Sequence, residues 1–400
     1  MSSAVRVTES IAVPASREGC PFDPPPSYDH ARRGDPVTLA RFWDGSTAWM
    51  ITRYEDVRAV LGDRRFSADA ARPNFPFITP ARRELSNSGQ SFIRMDDPEH
   101  ARLRRMLTGD FMLKKMTALR PQVQSIADDL IDRMTDGRTE ADLVAEFALP
   151  LPSLVICLLL GVPYEDHGFF QRCSRIMLDN SSPVEEIRSA RESLLDYMSK
   201  LTAVKRQTPD DSILSRLSGR EDLTDEETAR MGLLLLVAGH ETTANMTALS
   251  VLALLQNPEQ LARLRAEPEL ISGAIEELLR YLTIVHTGVS RVAIEDVVVG
   301  GTTIPAGDGV LCMINTANRD QAAFPLADDL DVGRDARRHV AFGFGVHQCL
   351  GQPLARMELQ VALGTILGRL PGLRLAADFE EIPFRDEMLV YGVHELPIAW

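Results

Sequence analysis

The chain has 400 residues, of which 44% are hydrophobic, and a formal net charge of −14. A chain of this size can bury a large core, and its acidity argues against a nucleic-acid partner. Its five cysteines show neither zinc-site nor disulfide spacing and no apolar run reaches the roughly twenty residues of a membrane helix, so we expect a cytoplasmic protein in a reducing compartment.

The N-terminal part is predicted to be mostly irregular. Residues 1–20 show no periodicity and are expected to form a flexible segment, and Pro24–Pro26 predict an extended lead-in. Further on, Val37–Phe42 and Thr47–Thr52 flank Asp44-Gly45, a favourable turn pair. These two segments predict a β-hairpin.

Helical patterns dominate the middle of the chain. Phe66–Phe92 is an exception, because three prolines among aromatic residues predict a long loop and a candidate pocket wall. Elsewhere, apolar residues recur at helical spacing. The predicted helices are Tyr54–Leu61, Asp97–Leu107, Leu119–Met134, Ala145–Leu160, Glu165–Leu178, Val184–Lys205, Pro258–Ala266 and Leu270–Leu282.

The longest periodic segment, Thr224–Gln256, opens with a capping box of Thr224 and Glu227. Its middle reads Ala238-Gly239-His240-Glu241-Thr242-Thr243. Close helix packing at the glycine, or threonine hydroxyls that bond back to carbonyls, would explain this spacing. The functional alternative is a local opening of the helix, where a hydroxyl and a carboxyl serve proton delivery.

Short β-branched runs follow, so the chain is predicted to be mainly α with a minor β region. We expect a single domain over residues 21–400. Its β-rich parts are about 37–52, 289–314 and 373–400, with strands at Val289–Ala293, Val297–Val299, Thr302–Ile304 and Val310–Ile314.

Phe342–Gly351 carries the strongest chemical signal. Cys349 stands just before the predicted helix Gln352–Leu370, where free amides and the helix dipole favour a thiolate. Gly343 allows a tight backbone that can approach a flat group. A lone cysteine is more often a small buried hydrophobe, Gly-x-Gly alone is a weak dinucleotide signal, and His347 would be the partner of a catalytic thiol.

The pattern Phe-Gly-x-Gly-x-His-x-Cys-x-Gly resembles the haem-binding loop of the cytochrome P450 family. Ala238–Thr243 is similar to the family's oxygen-binding groove. Glu277 and Arg280, a spacing that is otherwise a surface ion pair worth about 0.5 kcal/mol, resemble its buried structural network, with Arg334 as third member. The resemblance extends from about Pro21 to the C-terminus. It implies the single-domain P450 fold, with haem between the long central helix and the Cys-loop helix.

The resemblance also implies roles for individual residues. Cys349 is the axial ligand of haem iron, in a loop that includes Phe342, Gly343 and Gly351. Thr242 and Glu241 deliver protons beside Ala238 and Gly239. The haem propionates are bound by His100, Arg104, Arg291, His347 and, as the weakest match, His339. The substrate pocket draws on the segments 72–92, 177–184, 235–237, 284–289 and 388–390, with Arg72, Phe92, Ile93, Val237, Ala238, Val289 and Leu389.

The implied activity is a haem-thiolate monooxygenase that uses haem b. It inserts one atom of O2 into a C–H bond of a fairly large apolar molecule, such as a polyketide, another natural product, a secosteroid or a drug. Electrons come from a ferredoxin and its NAD(P)H-dependent reductase, and the basic segment Ala101–Lys115 is a candidate docking patch. Peroxygenation, C–C coupling or another non-hydroxylating oxidation is the main alternative. A haem sensor and a haem-free thiol hydrolase are the others.

Overall fold

The computed structural model describes residues 10–87 and 91–400. Its α-helices, in chain order, are α1 Pro26–Arg33, α2 Tyr54–Gly62, α3 Pro80–Asn87, α4 Glu99–Thr108, α5 Leu113–Thr135, α6 Pro150–Leu160, α7 His167–Leu178, α8 Val184–Gln207, α9 Ile213–Ser218, α10 Asp225–Gln256, α11 Pro258–Ala266, α12 Ile271–Leu282, α13 Ile314–Ala317 and α14 Gln352–Arg369. In the described part of the chain, no helix is both long and apolar enough to cross a membrane.

The β-strands are short and form three sheets. They are β1 Ile11–Ala12, β2 Val37–Arg41, β3 Thr47–Ile51, β4 Phe66–Ser67, β5 Glu140–Asp142, β6 Val289–Ala293, β7 Val297–Val299, β8 Thr302–Ile304, β9 Gly309–Cys312, β10 Arg374–Leu375 and β11 Pro397–Ala399. The largest sheet has the order β1-β2-β3-β9-β6-β4, and the others are β10-β11-β5 and β7-β8.

The chain forms two compact units. The first unit consists of Met1–Asp96, Val285–Asp329 and Val340–Gln348, and it contains the six-stranded sheet and the β7-β8 hairpin. Antiparallel pairing of β6 with β9 sets Arg291 opposite Val310. One face of the sheet packs on α2 through buried aliphatic and aromatic side chains, including Ile51, Val57 and Val310.

The second unit consists of Asp97–Ile284, Leu330–His339 and Cys349–Trp400 and is built on helices. The long helix α10 packs against α6, α8 and α14. Every residue from Thr243 to Leu254 is buried, so this half of α10 is a core helix with no solvent face. The second unit thus places α10 and the Cys-loop helix α14 against each other.

Several local predictions are confirmed. The capping box is present, since Glu227 N donates to Thr224 Oγ1 at 3.1 Å and Thr224 N donates to Glu227 Oε2 at 2.9 Å. The predicted hairpin is β2 and β3 in antiparallel register. At its turn Gly45 has a φ of +81°, which a side chain would disfavour. These signals are local, which is why sequence alone could place them.

Other boundaries were wrong because prolines were interpreted only as helix breakers. Pro26 begins α1 where an extended segment was predicted, and Pro150 begins α6 after a separate π-helical turn at Val144–Ala148. Proline suits a first helical position because no partner is needed for its nitrogen. The predicted Phe66–Phe92 loop contains β4 and α3, and its residues 88–90 lie outside the described part.

Three further boundaries differ. Helix α5 begins at Leu113, earlier than predicted, and α9 had no predicted counterpart. The strand predicted to reach Ile314 ends at Cys312, and helix α13 begins at Ile314. Of the predicted flexible segment 1–20, residues 1–9 lie outside the described residues, and Ile11–Ala12 pair with β2. The division into a single domain over residues 21–400 stays a prediction.

Candidate functional site

One stretch in the middle of α10 keeps an accessible face, although most of the helix is buried. Ala238 is exposed, and Leu235, Gly239 and Thr242 are partly exposed. Ala238, Gly239 and Thr242 follow Leu235 by three, four and seven positions, so the four residues share one face of the helix. Their side chains are mostly short, and the next residue, Thr243, begins the fully buried half of the helix. The second unit therefore contains a helix face shaped to lie against a flat group.

Packing explains the glycine in this stretch. A Cβ atom on Gly239 would lie 2.8 Å from Cδ1 of Ile156 in α6, so only glycine lets the two helices approach this closely. The helix runs without interruption from Asp225 to Gln256, and Thr242 Oγ1 donates to Ala238 O at 2.8 Å. Both packing alternatives drawn from the sequence are thus seen, whereas a local opening of the helix is not.

Glu241 points away from solvent into an ion pair that the sequence did not indicate. Arg385 Nη1 donates to Glu241 Oε2 at 3.1 Å, and the two residues are 5% and 2% exposed. The neighbouring His240 is buried as well, and burial lowers its pKa below the ordinary value. Arg385 lies 144 residues further along the chain and belongs to no motif, so no sequence signal could have identified it.

Cys349 stands at the start of α14, where backbone amides surround its sulfur. Burial raises the pKa of the Cys349 thiol, whereas the amides of Gly351 and Gln352 and the charges of Arg104 and Arg356 lower it. The side chain is nevertheless accessible by surface area. Cys349 is therefore an accessible thiol at the start of a helix, beside backbone amides that favour its thiolate form.

The loop before Cys349, which belongs to the first unit, depends on two glycines with positive φ. Gly345 has a φ of +74°, and a Cβ atom there would lie 2.4 Å from Leu61 O. Gly343 has a φ of +71°, and its Cβ position faces open space. The ring of Phe344 lies 4.4 Å below the guanidinium of Arg58. This packing fixes the loop and leaves the backbone at Gly343 accessible.

The predicted propionate ligands lie on separate elements. In α4, His100 Nδ1 is 3.2 Å from Asp97 Oδ1, and burial lowers the pKa of Arg104 while the nearby Cys349 raises it. In β6, Arg291 is only 4% exposed, and in the Cys loop His347 ends a 3₁₀ turn.

His339, the fifth predicted propionate ligand, has an acidic partner in this structure. Its Nε2 lies 3.2 Å from Glu276 Oε2, and Arg356 Nε donates to Glu276 Oε1 at 2.6 Å. Although burial raises the pKa of Glu276, these two partners lower it to about 2. His339 is thus held by Glu276, and its place as the weakest member of the propionate set stays a prediction.

Glu277, Arg280 and Arg334 form a buried network. Arg280 donates from Nε and from Nη2 to the two carboxylate oxygens of Glu277, each at 2.7 Å, and both residues are 0% exposed. Arg334 Nε and the amide of Asp331 donate to the same carboxylate at 3.1 and 3.0 Å. The pair is thus fully coordinated inside the second unit, unlike a surface ion pair.

Among the predicted pocket residues of the first unit, Arg72 is already engaged. Its Nε donates to Ser67 Oγ at 2.7 Å and lies 3.8 Å from Asp96 Oδ2. Phe92 is buried, Ile93 is exposed and Val289 is half-buried. Arg72 is thus anchored by Ser67 and Asp96, and its place in the pocket wall stays a prediction.

In the second unit, two of the predicted pocket segments are joined. Leu389 N donates to Leu178 O at 2.8 Å, and Asn180 N donates to Glu387 O at 3.0 Å. Val237 is buried, and Leu389 is half-buried. The structure therefore brings segments 177–184 and 388–390 together through the backbone.

Comparison with known proteins identifies the family. The family model described as Cytochrome P450 matches residues 33–201 and 169–371. The chain is 66% identical over 403 residues to Cytochrome P450-SU2 of Streptomyces griseolus, with 100% of both chains covered. It is 42% identical to the vitamin D3 dihydroxylase of Streptomyces griseolus, covering 99% of this chain and 98% of that one.

Solved structures agree with this assignment. The crystal structure of GfsF superposes with a TM-score of 0.91 at 45% identity, covering 98% of this chain and 100% of that chain. The mycinamicin VIII C21 methyl hydroxylase MycCI of Micromonospora griseorubida gives 0.92 at 38% identity, with 98% and 100% covered. The chain therefore belongs to the cytochrome P450 family. It is a monooxygenase that carries haem iron and works with O2 and redox partners, on the mainly helical fold predicted from the sequence.

Proposed function

We propose that this protein is a haem-thiolate hydroxylase that inserts one atom of O2 into a C–H bond of a fairly large apolar molecule. The observation that carries the proposal is Cys349, whose side chain is accessible and whose sulfur accepts from the amides of Gly351 and Gln352. Those amides stabilise a thiolate, the form in which cysteine binds iron.

The residues fit the haem group. The accessible face at Ala238, Gly239 and Thr242 offers a flat surface in the core of the second unit, and the open space beside Gly343 leaves the loop backbone accessible. We propose haem b, with Cys349 as axial ligand. The propionates are held by His100, Arg104, Arg291 and His347. With the Cys349 thiolate as its ligand, the haem supplies O2 activation and oxygen transfer to carbon.

The chain's own part in the chemistry is to move protons. Thr242 Oγ1 is the hydroxyl on the accessible face, and in this structure it donates to Ala238 O. We propose that it turns from that carbonyl toward the accessible side of α10 and passes a proton there. Glu241, fixed by Arg385, is the acid behind it. The presence of this acid and alcohol favours hydroxylation over peroxygenation, C–C coupling and other non-hydroxylating oxidations.

The first test is spectroscopic. The reduced, CO-treated holoenzyme should show the red-shifted band of a thiolate-bound haem, and Cys349→His should lose that band while still binding haem. A normal band in the histidine variant would contradict the assignment. Turnover under isotopically labelled O2 should add one labelled oxygen atom to the product. An oxidation without incorporated label would favour the alternative activities.

We also propose that an acidic ferredoxin delivers the electrons, at the C-terminal end of α4 and the start of α5. Met112 and Leu113 are 58% and 75% exposed there. Arg105 and Lys114 beside them make no ion pair in the part of the chain that the structure describes. Unpaired cations around an exposed apolar centre suit a transient acidic partner.

The structure sharpens the choice of variants for this docking surface. Arg102 already pairs with Glu99 and Glu227, and Lys115 pairs with Asp110, so their charges are neutralised locally. Arg105→Gln with Lys114→Gln should therefore slow ferredoxin-supported turnover and flatten its salt dependence, whereas Lys115→Gln should change both less. An unchanged salt dependence in the first variant would rule out this docking surface.

The substrate class is proposed by kinship and by the apolar character of the predicted pocket residues. One relative, 43% identical over 395 residues, is the 20-oxo-5-O-mycaminosyltylactone 23-monooxygenase of Streptomyces fradiae. Another is the vitamin D3 dihydroxylase. We propose a macrolide-, secosteroid- or drug-like substrate in the cytoplasm. A panel of such compounds should include members that shift the haem spin state, and a panel without any shift would exclude this class.

A further inference from the structure

Within the described residues of the first unit, the guanidinium of Arg94 has no acidic partner. Arg94 ends the 3₁₀ turn Phe92–Arg94, and its guanidinium lies 5.1 Å from the centre of the Phe75 ring. Among residues 10–87 and 91–400, no acid pairs with it and no hydrogen bond of its side chain is seen. A cation–π contact of this kind orients a guanidinium and does not neutralise it.

The nearest acid in sequence is already engaged. Asp96 accepts from the hydroxyl of Ser67 and, at 2.8 Å, from the amide of Ala68. Arg72 Nε lies 3.8 Å from the same carboxylate. Asp96 is thus hydrogen-bonded to Ser67 and Ala68, and its negative charge also raises the pKa of Arg291, which burial lowers overall.

A second guanidinium lies close to Arg94. Arg291 of β6 is 4% exposed, and its only side-chain hydrogen bond within the described residues goes to Ser290 O, at 2.8 Å. Burial, together with the positive charges of Arg291 and Arg82, lowers the pKa of Arg94 to about 10. Like charges gathered in a desolvated place are unfavourable unless an anion joins them.

The packing holds these two arginines in place. Ser290 Oγ donates to Pro76 O at 2.9 Å, which ties the segment carrying Phe75 to β6 next to Arg291. Phe75 also packs with Val292 of the same strand. The ring under Arg94 is therefore fixed to the strand that carries Arg291.

We infer that Arg94 and Arg291 together bind a carboxylate. Each guanidinium presents several N–H donors in one plane, and this geometry suits the two oxygens of a carboxylate. The inference rests on the proposed function, because the carboxylate has two sources in a haem enzyme with a small-molecule substrate. It belongs either to a haem propionate, with Arg94 as an added ligand beside Arg291, or to an acidic substrate, with Arg94 as a specificity residue.

The variants are Arg94→Gln, which removes the positive charge, and Arg94→Lys, which keeps the charge but lacks the planar set of guanidinium donors. Arg83→Gln is the matched control, because Arg83 is also an arginine of this segment. Arg83 pairs with Asp44 and lies 4.9 Å from the Trp43 ring, away from the pair in question. All four holoenzymes are compared, and circular dichroism and the CO band establish that each is folded with its thiolate in place.

The first arm measures haem loss to excess apomyoglobin. With a propionate as the carboxylate, Arg94→Gln releases haem about ten-fold faster than the parent, the factor expected for one lost charge-assisted hydrogen bond. Arg94→Lys lies between them, and Arg83→Gln matches the parent.

The second arm measures ligand binding with a probe pair, ω-imidazolyl dodecanoic acid and its primary amide, which coordinate iron through the same imidazole. With a substrate carboxylate, the parent and Arg83→Gln bind the acid about ten-fold tighter than the amide, and Arg94→Gln loses that preference while its haem loss is unchanged.

An unchanged haem-loss rate together with an unchanged acid-to-amide ratio in Arg94→Gln overturns the inference. Should the glutamine variant not fold, the lysine variant decides by the same two measurements. Failure of this inference is distinct from failure of the proposed function, since the former leaves the thiolate CO band in place and the latter removes it from the parent protein.

Discussion

Arg385 donates to the carboxylate of Glu241 at 3.1 Å, and this contact joins the middle of α10 to a C-terminal segment 144 residues away. Both side chains are almost fully buried. The position of a buried carboxylate therefore depends on its guanidinium partner as much as on the helix that carries it.

The first prediction concerns this pair. Arg385→Leu leaves Glu241 buried without its counter-charge and should lower the free energy of unfolding by about 3–5 kcal/mol. Adding Glu241→Gln removes the stranded charge, so the double variant should recover much of the loss. Urea unfolding of the parent, of each single variant and of the double variant, all as holoenzymes, measures the coupling free energy between the two residues. Additive effects of the two substitutions would show that the residues are not coupled.

The second prediction concerns Thr242. Thr242→Ala removes the hydroxyl from the accessible face of α10, so substrate and haem should still bind while reducing equivalents are diverted to hydrogen peroxide. Thr247→Ala is the control, because Thr247 Oγ1 makes the same type of bond, to Thr243 O at 2.8 Å, in the fully buried half. The measurement is the ratio of product to peroxide per NAD(P)H. Tight coupling in Thr242→Ala would refute the proton-delivery role.

The third prediction separates two helix glycines. Gly239→Ala drives a methyl group to within 2.8 Å of Ile156 Cδ1 and should cost about 1–3 kcal/mol of stability through overpacking. Gly364 lies in the interior of α14 and has no atom within 4 Å of its Cβ position, so Gly364→Ala should stabilise by about 0.5–1 kcal/mol. Thermal unfolding distinguishes them. Combining Gly239→Ala with Ile156→Ala should relieve the clash.

The fourth prediction uses Glu358, a carboxyl of α14 that is 1% exposed. Burial, offset only in part by the Thr243 hydroxyl, raises the pKa of Glu358 from 4.5 to about 8. The folded state therefore keeps a proton that the unfolded chain releases. Between pH 4.5 and 8, this carboxyl lowers stability as pH rises, by up to about 1.4 kcal/mol per pH unit.

Glu358→Gln cannot lose that proton and tests the effect directly. The free energy of unfolding of the variant, minus that of the parent, should grow as pH rises through this window and level off above about pH 8. Urea titrations at a series of pH values measure the difference. If the difference in free energy of unfolding between Glu358→Gln and the parent is the same at every pH, the pKa of Glu358 does not differ between the folded and unfolded states.

The fifth prediction concerns the Glu277 network. Arg280→Met removes both N–H donors of a fully buried pair and should destabilise by about 3–5 kcal/mol, with loss of haem during purification. Arg337→Met is the control, since the Arg337–Asp335 pair is 79% and 68% exposed and solvent screens its charges, so its loss should leave the stability almost unchanged. Equal stabilities of these two variants would contradict the assigned role of the network.

How far sequence alone could go depends on whether a signal was local. The Thr224–Glu227 capping box and the Asp44-Gly45 hairpin are read within a few residues, and both were predicted. Helix α3 was missed because its sequence, PARRELSN, follows prolines and has almost no apolar stripe. The family and its fold followed from the ten residues that end at Gly351.

Contacts between distant segments explain what the sequence could not show at the site. His339 was expected near a propionate, and no motif indicated that Glu276 would hold its ring. Arg72 was expected in the pocket, and its contacts with Ser67 and Asp96 were not indicated either. Neither Arg385 nor Arg94 belongs to a motif, and each is assigned through a partner that only the fold brings near. Residue type and spacing cannot reveal which of several arginines keeps an unmatched charge.

The two hydrogen bonds that join Leu178 to Leu389 and Asn180 to Glu387 have a consequence for engineering. Because the turn between α7 and α8 is joined there to the C-terminal loop, neither segment can change length or course alone. A chimaera that takes residues 177–184 from a relative with different substrate preference must take residues 385–390 from the same parent. Replacing only one of the two segments would leave backbone amides and carbonyls of these two hydrogen bonds without partners.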